Sequence, residues 1–221
     1  VRVFTQSDGM VPYIFYLSQS SKGASKNTLI QPMTRISFQS EGAQSSNLKH
    51  MRDIRNHAPY RNLLFNPSKS AIALMIGEFL SYALAGEEGN RPLFGFIEQS
   101  MDWLDNAAEG EFSNFHLRFL LQVSAYIGIC PNTDGYRPGY MLDMREGTFT
   151  DSPAGHPDIL DADYSFKIVQ LLQSTYDNMQ SAPLTGQQRS SILRFLNDYF
   201  RMHVPSFPVI KSIDILETVF D

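Results

Sequence analysis

Ser21-Lys22-Gly23-Ala24-Ser25-Lys26-Asn27-Thr28-Leu29-Ile30-Gln31-Pro32-Met33-Thr34-Arg35 is the stretch on which the reading of this chain turns. It is polar, carries Lys22, Lys26 and Arg35, and has no acidic side chain. Strand-like sequence flanks it on both sides. Val11 to Leu17 is apolar on both faces, and Arg35, Ser37 and Gln39 alternate with Ile36 and Phe38, the pattern of a half-buried strand. A small sheet that presents a basic loop of this kind presents it to a polyanion.

Working outward, the first third of the chain reads as β. Val1, Val3 and Thr5 alternate with Arg2 and Phe4, and Ser7-Asp8-Gly9 is a hairpin turn, because Asp-Gly tolerates the positive φ such turns require. Ser40 to Ser46 is a Gly/Ser/Gln turn. Asn47 to Arg55 follows, with Leu48, Met51 and Ile54 spaced by three, which a regular strand does not accommodate; a bulge or an early strand end is expected there. Four strands are counted. Small antiparallel sheets avoid open edges by closing, so an OB-type barrel whose first strand lies upstream of Val1 is the economical expectation.

From Asn66 the period becomes helical. Asn66-Pro67 supplies an N-cap and a proline at the first helical position, for a helix ending near Gly86. Asn90-Arg91-Pro92 opens a second, with Leu93, Phe94, Ile97, Met101 and Leu104 on one face, and Ser113 is expected to cap a third, carrying Phe115, Phe119, Val123 and Ile127. Tyr136 to Phe149 reads as a hairpin. Asp161 to Ser174 is a fourth helix, Thr185-Gly186-Gln187-Gln188 is a capping box opening a fifth through His203, and Ser212 to Phe220 is a last short one. The expected class is therefore α+β: an OB-fold barrel over residues 1–61, then an all-α helical domain over 62–221 with a small hairpin at about 136–149.

Charge separates along the same line. The net charge is −5 over 221 residues, but residues 1–66 hold eight basic against three acidic side chains and residues 67–221 hold ten against twenty. A basic barrel ahead of an acidic helical body suggests two parts with different partners; chance variation over a solvated surface is the plainer alternative. With 43% apolar residues a substantial core is available. The single cysteine, Cys130, excludes an internal disulfide and a cysteine zinc site and fits a reducing cytosol. No stretch reaches the ~18 apolar residues of a membrane span, and no secretion signal is visible, so a cytoplasmic protein without a membrane partner is expected.

Catalytic and metal chemistry find little support. The histidines at 50, 57, 116, 156 and 203 are scattered and form no pair at metal-ligand spacing, and there is no phosphate loop, dinucleotide fingerprint or nucleophile elbow. His116 lies on an apolar helix and reads as a core or rim residue. Asp158, Asp161 and Asp163 read as a solvated helix start rather than a calcium loop, and Cys130 as a structural thiol. No enzyme, cofactor or metal is expected. What remains is a basic barrel with aromatics, able to hold strands by phosphate contacts and base stacking. Lys22, Lys26 and Arg35, then Lys49, Arg52 and Arg55, are the candidate phosphate contacts. Tyr13, Phe15 and Tyr16 are candidates for stacking, with core packing as the alternative for each, since one face of their strand must be buried.

These residues resemble a family. Val3-Phe4-Thr5 followed by Gly9, then Lys22-Gly23-Ala24 and Leu29-Ile30-Gln31-Pro32, look like the barrel domain of RecO, the bacterial recombination mediator. Asn47-Leu48-Lys49 with Ile54, Tyr60-Arg61, Ser113-Asn114-Phe115-His116-Leu117 with Phe119-Leu120-Leu121, Gly128-Ile129-Cys130-Pro131, Tyr199-Phe200-Arg201-Met202-His203 and Lys211-Ser212 continue the likeness in order. The resemblance implies a non-enzymatic, nucleoid-associated protein that binds single- and double-stranded DNA, anneals complementary strands and, with RecR, helps RecA replace single-strand-binding protein. It implies docking of that protein's acidic C-terminal tail on the helical domain, for which Phe115, Arg118 and Phe119 are the candidates: a tail ending in an aromatic wants an apolar slot beside a cation. Many RecO proteins carry a four-cysteine zinc site after the third helix. Here only Cys130 is present, so a zinc-less variant is implied, with the hairpin at Tyr140–Phe149 in its place. Two other function classes stay open: an adaptor whose barrel binds an acidic protein surface, and a hydrolase built on His116 or the carboxylates near Asp158.

Overall fold

The computed structural model describes residues 1–16, 29–41, 49–152 and 155–220. They fall into two compact units, Val1–Asp105 and Asn106–Asp221. The switch from strand to helix near residue 61 is thus one boundary and the division between units another, because the first two helices belong with the sheet.

In the first unit, four strands form one sheet among the described residues: β1 (Arg2–Thr5), β2 (Gly9–Ile14), β3 (Ile36–Glu41) and β4 (Lys49–Asn56), in the order β1-β2-β4-β3. β1 pairs antiparallel with β2 and β3 with β4, while β2 and β4 run parallel through Tyr13↔Lys49 and Ile14↔His50. The α+β class holds. The sheet is not closed among these residues: β1 and β3 are its edges. Both edges nevertheless line one cavity of about 870 Å³, together with Tyr60, Leu74, Phe94 and Met101.

The β-bulge sits where the three-residue spacing foreshadows it. Ser37 faces Arg55 but Gln39 faces Arg52, so β4 carries one residue more than β3 across this step. Asp53 lies there at φ 50°, a conformation that aspartate tolerates better than most residues. The extra residue reverses the alternation, which is why Met51 and Ile54, an odd number apart, both enter the core. With Tyr13 they form the centre of the sheet's core, packed against Val3, Val11, Phe15, Ile36 and Phe38. Tyr13 and Phe38 meet edge to face at 4.9 Å, an arrangement contributing ~0.5–1.5 kcal/mol beyond its burial.

Helix α1 (Pro67–Ala83) begins at the Asn66 cap, whose side chain accepts from the Lys69 amide, with Pro67 just inside. Helix α2 (Arg91–Asn106) begins where Asn90 accepts from the Leu93 amide, and it buries the stripe Leu93, Ile97, Met101 and Leu104. Among the contacts that tie sheet to helices are Phe4 against Phe94 at 6.0 Å, Arg2 donating to the Ser81 carbonyl, and Arg35 paired with Asp102.

The second unit holds α3 (Phe115–Tyr126), a small sheet of β5 (Met141–Asp143), β6 (Thr148–Thr150) and β7 (Ile159–Leu160) in the order β6-β5-β7, then α4 (Ala162–Gln173), a 3-10 turn (Met179–Ser181), α5 (Gly186–His203) and α6 (Ser212–Phe220). The hairpin has a third strand that a two-residue segment did not betray. Asp161 caps α4 by accepting from the Tyr164 amide, and the Thr185–Gln188 box is made in both directions. Ser113 does not cap α3. Asn114 holds that position, and its side chain turns away to donate to the Met179 and Ala182 carbonyls. No helix among the described residues is long and apolar enough to cross a membrane.

Candidate nucleic-acid interface

The outward face of β3 and β4 follows from the register. Phe38 points to the core, so Ser37 and Gln39 point away from it, and their partners Arg55 and Arg52 share that outer face. His50, opposite Glu41 in the ladder, joins them. Tyr16, just past the end of β2, lays its ring over His50 with 5.9 Å between centroids and 11° between planes. Arg55 is exposed. Arg52 Nε reaches Glu41 Oε2 at 2.7 Å, and Lys49 Nζ reaches Asp8 Oδ2 at 3.3 Å. The Ser7 hydroxyl and Lys49 together hold the Asp8 carboxyl below its ordinary range. Such surface pairs are worth only ~0–1 kcal/mol, so neither cation is strongly held by its carboxylate.

The predicted site residues divide accordingly. Arg52, Arg55 and Tyr16 come together on this face, with Lys49 at the start of the same strand. Lys22 and Lys26 lie outside the described residues. Tyr13 is a core residue, 4% exposed, because it sits on the inner face between Phe38 and Met51; its ring is not offered to a ligand. Arg35 is engaged by the fold. Its guanidinium pairs with Asp102 at 2.7 and 2.9 Å, donates to the Ala58 carbonyl and lies 4.6 Å over the Tyr60 ring. Burial raises the Tyr60 phenol far above its usual range, so it stays neutral beneath that cation. His50 was missed. Its place two residues before Arg52 in a strand is the signal that would have found it, obscured by the competing spacing of Met51 and Ile54.

In the helical unit, Phe115 and Phe119 are fully buried, stacked on one another at 5.9 Å, and make no open slot. Arg118 is half-buried and donates through Nε to the Ser174 carbonyl, with burial lowering its guanidinium's proton affinity. His116 is buried in the core, where desolvation, reinforced by the Arg189 charge, lowers its pKa to about 3. Burial raises the Cys130 thiol. Asp158 pairs with Arg145 and Asp163 with Lys167. Among the described residues, no three His, Cys, Asp or Glu side chains are placed to hold a metal ion.

The model of the recombination protein O C-terminal region matches residues 64–135. The DNA repair protein RecO of Phocaeicola vulgatus is 36% identical over 220 residues, covering all of this chain and 91% of that protein. RecO of Bacteroides fragilis is 34% identical over 222 residues and RecO of Flavobacterium johnsoniae 31% over 222, each again covering all of this chain and 91% of the relative. With an outer sheet face of arginines and stacked rings, an acidic helical body, and relatives of this similarity end to end, the chain belongs to the RecO family of DNA repair proteins.

Proposed function

We propose that this protein is a recombination mediator that holds single- and double-stranded DNA on the outer face of β3 and β4 and anneals complementary strands by neutralising their phosphates. The observation that carries this reading is the placement of Arg52 and Arg55 on one face by the β4 bulge, beside Tyr16 and His50. The two edges of the sheet bordering one cavity support an OB-type barrel over residues 1–61 as the DNA module, with the helical remainder docking proteins. RecR, and through it RecA loading, and the acidic tail of single-strand-binding protein are the proposed partners. The protein works without catalysis of its own, in the bacterial cytoplasm at the nucleoid.

The test is binding of the whole chain to a labelled oligonucleotide across a salt series. About three phosphate contacts predict a log–log slope of roughly −2 on single strands, at ~0.7 per contact. Affinity independent of salt, or no binding at all at low salt, favours instead the adaptor that grips an acidic protein.

A further inference from the structure

We propose that Tyr16 and His50 form a stacking subsite for an unpaired nucleobase, so that this face discriminates single strands from duplex; the inference rests on the nucleic-acid reading of the same face. Three observations converge. The two rings are nearly parallel, 11° apart with centroids at 5.9 Å, the offset geometry of stacked rings. Tyr16 nevertheless remains 74% exposed, so its far face is open to solvent. Other rings of this sheet are taken up by packing: Tyr13, Phe15 and Phe38 belong to its core, and Phe4 packs against Phe94.

The register explains why the pair exists. His50 faces Ile14 on β2, and Tyr16 lies two residues beyond Ile14, on the same outer side. The imidazole under one face of Tyr16 holds the phenol ring in place, so less side-chain freedom is lost when a base settles on the other face. Glu41 faces His50 across the ladder and is paired to Arg52, which puts a displaceable carboxylate and a cation beside the rings. A backbone phosphate taking the place of Glu41 on Arg52 sets its base toward Tyr16. The ligand class this fits is a flexible polyanion with an exposed π-face, which is a single strand. Duplex DNA keeps its base faces stacked internally and offers only phosphates and groove edges.

The experiment measures anisotropy of the whole chain with three labelled probes: a dT oligonucleotide of about twelve residues, an abasic oligonucleotide of the same length, and a duplex. The expected wild-type protein binds dT more tightly than the abasic strand. Tyr16→Ala lowers dT affinity about 5- to 150-fold, the ~1–3 kcal/mol of one stacked base, and leaves abasic and duplex affinities unchanged. Tyr16→Phe keeps the wild-type pattern, and His50→Ala weakens dT binding in part. Because Tyr16 is exposed, an unchanged thermal midpoint confirms that the variants are folded. Equal wild-type affinity for dT and abasic strands, or Tyr16→Ala retaining the preference for dT, overturns the inference. Arg52→Ala with Arg55→Ala reports on the underlying reading separately: unchanged affinity for every probe would remove the nucleic-acid face itself.

Discussion

Asp105 Oδ1 accepts a hydrogen bond from the Leu63 amide at 2.6 Å, joining the last turn of α2 to a loop forty-two residues earlier in the chain. The same carboxylate takes the Asn62 amide at 2.7 Å and the Arg61 amide at 2.9 Å, and Lys69, buried below it, donates to the Asp105 carbonyl. One side chain therefore satisfies three consecutive backbone donors where the chain leaves the sheet for α1. Asp105→Ala orphans all three and is expected to destabilise the protein by about 3 kcal/mol or more, read from urea unfolding. Burial alone would raise this carboxyl; the three amides and Lys69 outweigh it, so it sits below its ordinary value in the folded protein. Its contribution is present above the unfolded value of ~3.9 and is lost as pH falls below it.

Arg35 separates structural from ligand-binding charge. Arg35→Ala removes the ion pair to Asp102 and the donor to Ala58, whose backbone is held at φ 49° just before Pro59. Thermal unfolding is expected to drop by the equivalent of ~2–4 kcal/mol, while the folded variant binds DNA as the wild type does. Arg52→Ala and Arg55→Ala are expected to do the reverse: unchanged stability, weaker binding to any sequence, and a salt slope shallower by ~0.7 for each contact removed. Equal effects of all three on affinity would return Arg35 to the binding face.

His116 predicts an acid-sensitive helical unit. Its folded pKa of about 3 lies below the ordinary histidine value, so the unfolded chain binds a proton that the folded one refuses. Stability present above ~6.5 is lost as pH falls, by up to ~1.4 kcal/mol per pH unit between about 6 and 4. His116→Gln should flatten that slope when unfolding is followed over this range. An unaltered slope would show that the histidine is not the group responsible.

Two glycines keep the β1–β2 turn against the loop between α1 and α2. A Cβ on Gly9 would lie 1.9 Å from the Glu87 carbonyl oxygen, and one on Gly89 would lie 2.0 Å from that of Ser7. Both obstacles are backbone, and Gly9 also sits at φ 70°. Gly9→Ala and Gly89→Ala are expected to cost about 2–4 kcal/mol each. Gly95→Ala, inside α2 with nothing within 4 Å, should instead stabilise by ~0.5–1 kcal/mol. Circular-dichroism melts of the three variants distinguish these signs.

Local chemistry made much of this protein legible in one dimension. Caps are short-range hydrogen bonds, so Asn66-Pro67 and the Thr185–Gln188 box could be read directly and were found as made bonds. Periodicity likewise exposed the α+β order and the β4 bulge. Ser113 misled because Asn114, the neighbouring residue, occupies the cap position and serves two distant carbonyls instead.

The role of each charge and ring was decided elsewhere. Arg35 and Arg52 look alike in sequence, yet Asp102, sixty-seven residues away from Arg35, holds one of them in the fold, while Arg52 pairs with Glu41, an exposed neighbour on the adjoining strand. Tyr13 and Tyr16 are three apart in a strand-like run; only the pairing of β2 with β4 puts the first inside and the second over His50. Hydrogen-bond caps and hydrophobic period depend on residues a few positions apart, which the sequence states by itself. Whether a cation or an aromatic ring is available to a ligand depends on which distant partner reaches it first, and that is a property of the tertiary structure alone.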